Sequence, residues 1–193
     1  EAGNRSILLV PEQFTSSTEA RIYRELGDAL SGMVESYSFT SLAELILAVE
    51  GGAAVQTLTD AGRAVLVRRA LEELQDNVHY YYRHRRSAAF CQMAAETIDE
   101  LKSAGLSGQQ LQELARDCGT ESAKLGELAL IFQGYESLLA GTGMDPADRL
   151  ELAADRLEAA LARDELPDFL REREVFIDEF DTFNAPKKRL MGA

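Results

Sequence analysis

The sequence predicts an α/β fold that is mostly helical, with a short parallel sheet and a large all-helical insertion. A continuous apolar run, Ile7 to Val10, is followed by helix signals and by a second strand-like run, Val34 to Tyr37. Residues 41–173 carry helical patterns without a convincing strand, and a strand pattern returns only at Val175 to Asp178. The order strand, helix, strand is typical of the start of a doubly wound sheet.

The opening of the chain predicts the first strand, the first helix and the second strand. The run Ile7 to Val10 is apolar without interruption, which suits a strand buried on both faces of a parallel sheet. Ser16 is followed three residues later by Glu19, a capping-box pattern that predicts a helix. Gly32 ends that helix, and Val34 to Tyr37 forms the second strand.

The middle of the chain predicts a succession of helices. Apolar residues recur at helical spacing, which places them on one buried face each: Val65, Leu66, Leu71 and Leu74 in one stretch, and Phe90, Met93, Ala94, Ile98 and Leu101 in another. Start signals come at Ser41 with Glu44, at Ser107 with Gln110, and at Asp145 with Pro146. A helical insertion between two strands of one sheet is the simplest interpretation.

Composition excludes several classes of protein. With 33 acidic and 20 basic residues the net charge is −13, so any contact with nucleic acid must come from a local patch. Cys91 and Cys118 are far apart and form no C-x-x-C pair, which excludes a zinc module or a disulfide framework. We expect both to be reduced, small buried residues. No apolar stretch is long enough to cross a membrane.

The stretch "VFIDEFDTFN", Val175 to Asn184, carries the clearest chemistry. Asp178 follows an apolar strand, where a carboxylate can hold Mg²⁺ through water. Glu179 can orient or deprotonate an attacking water. A nucleotide site also needs a phosphate loop, G-x-x-x-x-G-K-[ST], and no Gly here is followed by Lys. The alternative is a strand that simply ends in solvated acids.

Two further stretches are candidates for contact with nucleic acid. "ILLVPEQFTSSTE" places Gln13, Thr15 and Ser16 between a strand and a helix start, where a phosphate can bind, although an ordinary turn fits the spacing as well. "HYYYRHRR" combines tyrosines that can stack on bases with Arg83, Arg85 and Arg86. The alternative for this second stretch is a helix end with inward tyrosines and a solvated basic turn.

Taken in order, the motifs resemble one family. "DEF" after a hydrophobic strand resembles motif II of the UvrD-like superfamily 1 helicases. The sequence of segments is similar to the AddB (RexB) family, the B subunit of the bacterial ATP-dependent helicase/deoxyribonuclease that processes double-strand breaks. V-P-E-Q after the first strand is the most specific match, and the resemblance covers essentially the whole chain. The matching segments are ILLVPEQFTSSTEARI, VESYSFTSLAELIL, AGRAVLVRRALEEL, KLGELALIFQGYESLL, DRLELAADRL and VFIDEFDTFNAPKKRL.

The resemblance implies a partial RecA-like P-loop NTPase sheet. Residues 1–40 would belong to the RecA-like domain, residues 41–173 to a helical insertion, and residues 174–193 to the returning motif II strand. The phosphate loop would lie upstream, and the polar start "EAGNRS", without Met, indicates a cut through a larger protein. The second motor half and the nuclease domain would lie elsewhere, so we expect this chain alone to hold no cofactor and to hydrolyse neither ATP nor DNA.

The resemblance also assigns roles to residues. Asp178 becomes the acid that holds Mg²⁺ with ATP in the intact protein, and Glu179 the catalytic carboxylate, although AddB members often have Gly there. Asp181 stands where UvrD-like motors have Gln, which puts coupled translocation in doubt. The positions of motif Ia, which touches single-stranded DNA, are occupied by Gln13, Phe14 and Thr15.

The expected partners are DNA and an AddA-like subunit in the bacterial cytoplasm, with no membrane. Two alternatives remain open. The chain could come from a UvrD-like helicase that translocates actively, in which case no nuclease motif would follow the motor. It could instead be a non-enzymatic helical interaction module whose end segments complete a partner's sheet.

Overall fold

A computed structural model describes residues 5–193, so most of the polar start "EAGNRS" lies outside the described residues. Its sheet is parallel and has three strands in the order β2-β1-β3. They are β1 (Ser6–Leu9), β2 (Val34–Tyr37) and β3 (Glu174–Ile177). Ser6 pairs with Val34 on one side and with Glu174 on the other. All three strands predicted from the sequence are therefore confirmed.

Helices make up most of the rest of the described chain, which confirms the mostly helical α/β class. They are α1 (Thr15–Ser31), α2 (Phe39–Glu50), α3 (Asp60–Glu73), α4 (Ala88–Ser103), α5 (Gly108–Ala115), α6 (Ser122–Leu139), α7 (Pro146–Ala162) and α8 (Ala185–Gly192). Short 3-10 turns occur at Glu12–Phe14, Tyr82–His84 and Gly119–Glu121. Helix α1 is interrupted at Gly27, whose φ of +68° is one that glycine adopts readily.

Two predicted helix starts are wrong. A 3-10 turn leads directly into α1, so Ser16 lies inside the helix and caps nothing. Helix α2 begins earlier than predicted because Ser38, extended at the end of β2, is its N-cap; Ser41 is the reciprocal partner in that capping box. The capping box of Ser107 with Gln110 is confirmed.

The chain forms two compact units. The first contains residues 5–54, Leu150–Phe183 and Lys187–Ala193. Its core lies where one face of the sheet meets apolar residues of α2 and α7, and Ile7, Ile46 and Ala153 are fully buried there. The predicted division into residues 1–40, 41–173 and 174–193 concerns a RecA-like domain and its insertion, and it stays a prediction.

The second unit contains Val55–Arg149 and Asn184–Pro186. Its core is formed by α3 to α6, with Phe132 and Ile131 completely buried. It also buries a charge network, in which Lys102 binds the carboxylates of Asp145 and Asp148. Burial alone lowers the pKa of Lys102, but hydrogen bonds to these two carboxylates raise it overall. Asp145 also accepts the backbone N–H of Asp148, which confirms the predicted cap of α7.

Some predicted buried residues are exposed. Val65 and Met93, expected on the apolar faces of α3 and α4, expose 63% and 56% of their surface. Each lies beside the true face, which Leu66 and Ala94 occupy. Cys91 is buried as expected, whereas Cys118 is exposed because it follows the end of the short helix α5. In the described part of the chain no helix is long and apolar enough to cross a membrane.

Candidate functional site

The carboxyl edge of the sheet brings two of the predicted site segments to one side of the first unit. Because the strands are parallel, the residues that follow β1 and β3 leave the sheet at the same edge. Pro11 to Thr15 follow β1, and Asp178 follows β3. The backbone N–H of Asp178 donates to the Leu9 carbonyl at 3.0 Å. This hydrogen bond fixes the backbone of Asp178 at the edge of the sheet.

An arginine of α1 binds both acids. Arg21 Nη1 lies 3.0 Å from Glu179 Oε1, and Nη2 lies 3.6 Å from Asp178 Oδ2. The backbone N–H of Glu179 donates to Asp178 Oδ1 at 2.9 Å, which orients the first carboxylate. The Asp178 side chain is 57% exposed and that of Glu179 32%, so water reaches the pair. Nothing in the sequence pattern indicated Arg21, which lies more than 150 residues away.

The backbone at the acid pair is unusual. Glu179 has a φ of +63°, in the left-handed region that favours glycine. The next residues hold this turn in place, because Phe180 and Phe183 pack edge-on against Phe39 with ring centroids 5.3 and 6.2 Å away. The apolar residues after the acids are thus an anchor for the segment, and Asp181 between them is exposed.

The carboxylates of Asp178 and Glu179 suit Mg²⁺ only as ligands of a hydrated ion. Mg²⁺ keeps several waters and takes one or two carboxylates together with substrate phosphates. Asp178 is accessible enough for such a water-mediated contact, with Glu179 beside it. Within residues 5–193 no group of three or more His, Cys, Asp or Glu side chains could hold a metal ion. The residues therefore fit a hydrated ion that shares its shell with a nucleotide, and Arg21 competes for the same carboxylates.

The predicted motif Ia residues lie at this edge without a fixed role. Gln13 and Phe14 are exposed in the 3-10 turn, and Thr15 is half-buried at the start of α1. Thr15 Oγ1 donates to the Glu12 carbonyl at 3.1 Å, which stabilises the turn. These side chains are accessible to a ligand, and their role in binding nucleic acid stays a prediction.

The second unit holds the basic-aromatic turn at residues 79–86, and Glu127 of α6 fixes its backbone. The carboxylate accepts N–H groups of His79, Tyr80 and Tyr81 at 2.8 to 3.1 Å. Burial alone raises the pKa of Glu127, but these three donors lower it overall. No sequence pattern indicated this contact, because Glu127 lies more than 45 residues further along the chain.

The tyrosines of this turn divide between core and surface. Tyr81 stacks on Phe90 and packs against the core of the unit, as the inward-tyrosine alternative predicted. Tyr80 is 43% exposed and has two cations over its ring, Arg83 at 5.5 Å and Lys124 at 5.3 Å. The inward-tyrosine alternative thus holds for Tyr81, and a role of the turn in binding nucleic acid stays a prediction.

Two more arginines complete the turn. The Arg85 guanidinium lies 4.0 Å from the centroid of the Tyr82 ring, and its Nη1 donates to the Tyr82 carbonyl at 3.2 Å. Arg86 is exposed at the end of the turn. The structure thus brings Arg83, Arg85 and Arg86 together on one turn, and it places Gln13, Phe14 and Thr15 in the other unit.

Comparison with known proteins gives a consistent result. The family model described as "ADDB, N-terminal" matches residues 1–193. The B subunit of the ATP-dependent helicase/deoxyribonuclease of Clostridium perfringens (strain SM101 / Type A) is 30% identical over 98% of this chain and 16% of the relative. The protein of the same name from Moorella thermoacetica is 31% identical over 100% of this chain and 17% of its own length.

A third relative of the same name, from Thermoanaerobacter sp. (strain X514), is 28% identical over 96% of this chain and 16% of its own length. The chain spans about one sixth of the length of each of these relatives. The family model, by contrast, matches this chain over all of its residues, 1–193. The chain therefore belongs to the ADDB, N-terminal, family.

Proposed function

We propose that the chain acts within the B subunit of a bacterial ATP-dependent helicase/deoxyribonuclease that processes DNA double-strand breaks for recombinational repair. The names of its relatives and its membership of the family support this role. An AddA-like partner supplies the main motor, and the complex works in the cytoplasm. The sheet of the first unit belongs to a RecA-like domain, which fits its parallel strands and the position of its acids.

The observation that carries the proposal is the position of the acid pair at the carboxyl edge of a parallel sheet. Ligands of open α/β sheets bind at this edge. Asp178 holds the Mg²⁺ of bound ATP through water, and Glu179 orients the attacking water. Mg²⁺ supplies the positive charge that stabilises the transferring phosphoryl group. Gln13, Phe14 and Thr15, which leave the same edge after β1, contact a single DNA strand.

The chain by itself is expected to hydrolyse neither ATP nor DNA. It contains no G-x-x-x-x-G-K-[ST] loop, so nothing in its sequence cradles the phosphates. Arg21 binds both carboxylates and offsets part of their negative charge. Purified chain should therefore show the same ATP turnover as its Asp178→Ala variant.

The decisive experiment uses the B subunit at the full length of its relatives, in complex with its partner. Asp178→Asn keeps the shape of the side chain and removes the charge that binds Mg²⁺. The matched control is Asp168→Asn, whose side chain is 97% exposed in the same unit. ATP binding to the B subunit, followed with a fluorescent nucleotide, should fall roughly tenfold or more in the first variant only.

The outcomes separate the alternatives. Unchanged nucleotide binding and unchanged DNA degradation in Asp178→Asn would contradict the proposal and favour the non-enzymatic interaction module. Unwinding of DNA by the full-length protein alone, without its partner, would favour a translocating UvrD-like motor.

A further inference from the structure

A cleft in the second unit lies between α3 and α4, next to the basic-aromatic turn. Its volume is about 360 Å³. One wall is apolar and consists of Ala61, Ala64 and Val65 of α3 together with Ala88 of α4. Val65, beside the buried face of α3, is 63% exposed. The cleft therefore offers apolar surface that the folded unit itself does not cover.

Three arginines, Arg68, Arg85 and Arg86, line the same cleft. The lining contains one acid, Asp60, and its carboxylate is bound by Arg63 at 2.8 Å. The whole chain carries a net charge of −13, so this cluster of arginines is an exception to the acidic balance of the chain. A ligand that matches the cleft has an apolar or planar body and a negative charge at one side.

Two of the arginines are held in position before any ligand arrives. Arg85 stacks on Tyr82 and donates to its carbonyl. Arg68 uses Nε to bind Glu72 at 3.1 Å, and in the described part of the chain its two Nη groups make no hydrogen bond. The turn that carries Arg85 is itself fixed by Glu127. Such preorganisation lowers the entropy cost of binding.

We propose that this cleft binds one unpaired nucleotide of a single DNA strand. The base lies against the wall of Ala61, Ala64 and Val65, and the arginines bind the adjoining phosphates. The volume is at the lower end of the range for small-ligand pockets, which suits one nucleotide.

A peptide with acidic side chains fits the cleft less well. The wall is made of alanine and valine side chains, which offer no partner to the N–H and C=O groups of an extended peptide. A base presents a flat face to such a wall and keeps its polar edge in water. The proposal rests on the DNA-processing role proposed above and adds a DNA contact remote from the acid pair in sequence.

The test measures binding of a fluorescein-labelled oligo(dT) of about 15 nucleotides to the 193-residue chain by anisotropy at several salt concentrations. Arg68→Ala is compared with Arg69→Ala. Both residues lie on α3, pair with a glutamate four residues later, and expose 56% and 61% of their side chains. Only Arg68 lines the cleft. Thermal unfolding of each variant shows that the fold is intact.

We expect Arg68→Ala to weaken binding about tenfold and to reduce the slope of log K against log salt by about 0.7, the value for one lost phosphate contact on a single strand. Arg69→Ala should change affinity less than about twofold. Ala88→Leu, which fills the cleft from an exposed position, should weaken binding without changing the salt slope.

Equal effects of Arg68→Ala and Arg69→Ala would contradict the cleft as the binding site, although the chain would still bind DNA. Competition by polyglutamate as strong as that by unlabelled oligo(dT) would overturn the nucleotide as ligand. Absence of oligo(dT) binding by the unchanged chain would also contradict the cleft as a nucleotide-binding site. None of these results affects the Asp178 experiment, which reports on nucleotide binding at the sheet edge.

Discussion

The core of the helical unit and the third strand of the sheet unit differ in how completely they bury their apolar residues. In the helical unit, Phe132 and Ile131 are completely buried. Among the strands of the described residues β3 pairs with β1 alone, and Val175, Phe176 and Ile177 expose 49%, 53% and 41% of their surface. Parallel sheets are normally covered on both faces. The helical unit thus forms its own core, whereas the strand that positions the acids leaves much of its apolar surface uncovered.

The largest expected difference is between two phenylalanines. Phe132→Ala should lower the free energy of unfolding by about 4 kcal/mol, because it removes a fully buried ring and leaves a cavity. Phe176→Ala should cost less than about 1 kcal/mol, since the residue is 53% exposed. Urea unfolding followed by circular dichroism measures both. Similar losses in the two variants would contradict the difference between the units.

The charge networks should show a smaller difference in the same direction. Lys102→Met leaves Asp145, which is 1% exposed, without its cation, and should cost about 3 kcal/mol. In the sheet unit Arg189 binds Glu151, Asp155 and Glu158, but its side chain is 38% exposed. Arg189→Met should therefore cost less than about 1 kcal/mol.

Urea unfolding at low ionic strength measures both losses of stability. Added salt should reduce the loss in free energy of unfolding caused by Arg189→Met. It should leave the loss caused by Lys102→Met nearly unchanged, because buried pairs are screened less. A loss in Arg189→Met equal to that in Lys102→Met would mean that the surface network contributes as a buried one does.

The smallest expected effect concerns the acid turn. Glu172 and Glu179 both have a positive φ, at +55° and +63°, where glycine avoids the strain of a side chain. Glu172→Gly should raise the free energy of unfolding by about 1 kcal/mol. Glu179→Gly should raise it by roughly half as much, because it also loses the exposed ion pair with Arg21. Thermal unfolding of the two variants measures both changes in stability.

Equal gains in both variants would show that Arg21 contributes nothing to stability through Glu179. A net loss in Glu179→Gly would show that the ion pair outweighs the backbone strain. Both results concern the ion pair of Arg21 with Glu179 and leave the buried helical core untouched.

Much of the fold could be predicted because its signals are local. Ile7 to Val10 and Val34 to Tyr37 are apolar or extended runs bounded by a Pro and a Gly, and Ser107 with Gln110 is a complete capping box. Where two local signals compete, the choice depends on the neighbouring strand. Ser38 is the cap of α2, in preference to Ser41, because it is already extended at the end of β2.

The candidate sites could be predicted only in part. Asp178 follows an apolar strand, which is a sequence signal, and the arginines of the basic turn are adjacent in sequence. Arg21 and Glu127 carry no such signal, because each meets its partners only after distant segments have packed. Periodicity also placed Val65 in the core, since a pattern of apolar residues does not show which face another helix covers.

The pairing of β1 with β3 has a consequence for the order in which the molecule folds. Ser6 pairs with Glu174, far along the chain, whereas β1 and β2 are joined by one helix. Contacts between segments so far apart in sequence carry a larger loop-closure cost than local ones and form more slowly. The helices of the second unit can pack while that loop is still open. We therefore expect the two carboxylates to reach Arg21 late in folding, after β3 has paired with β1.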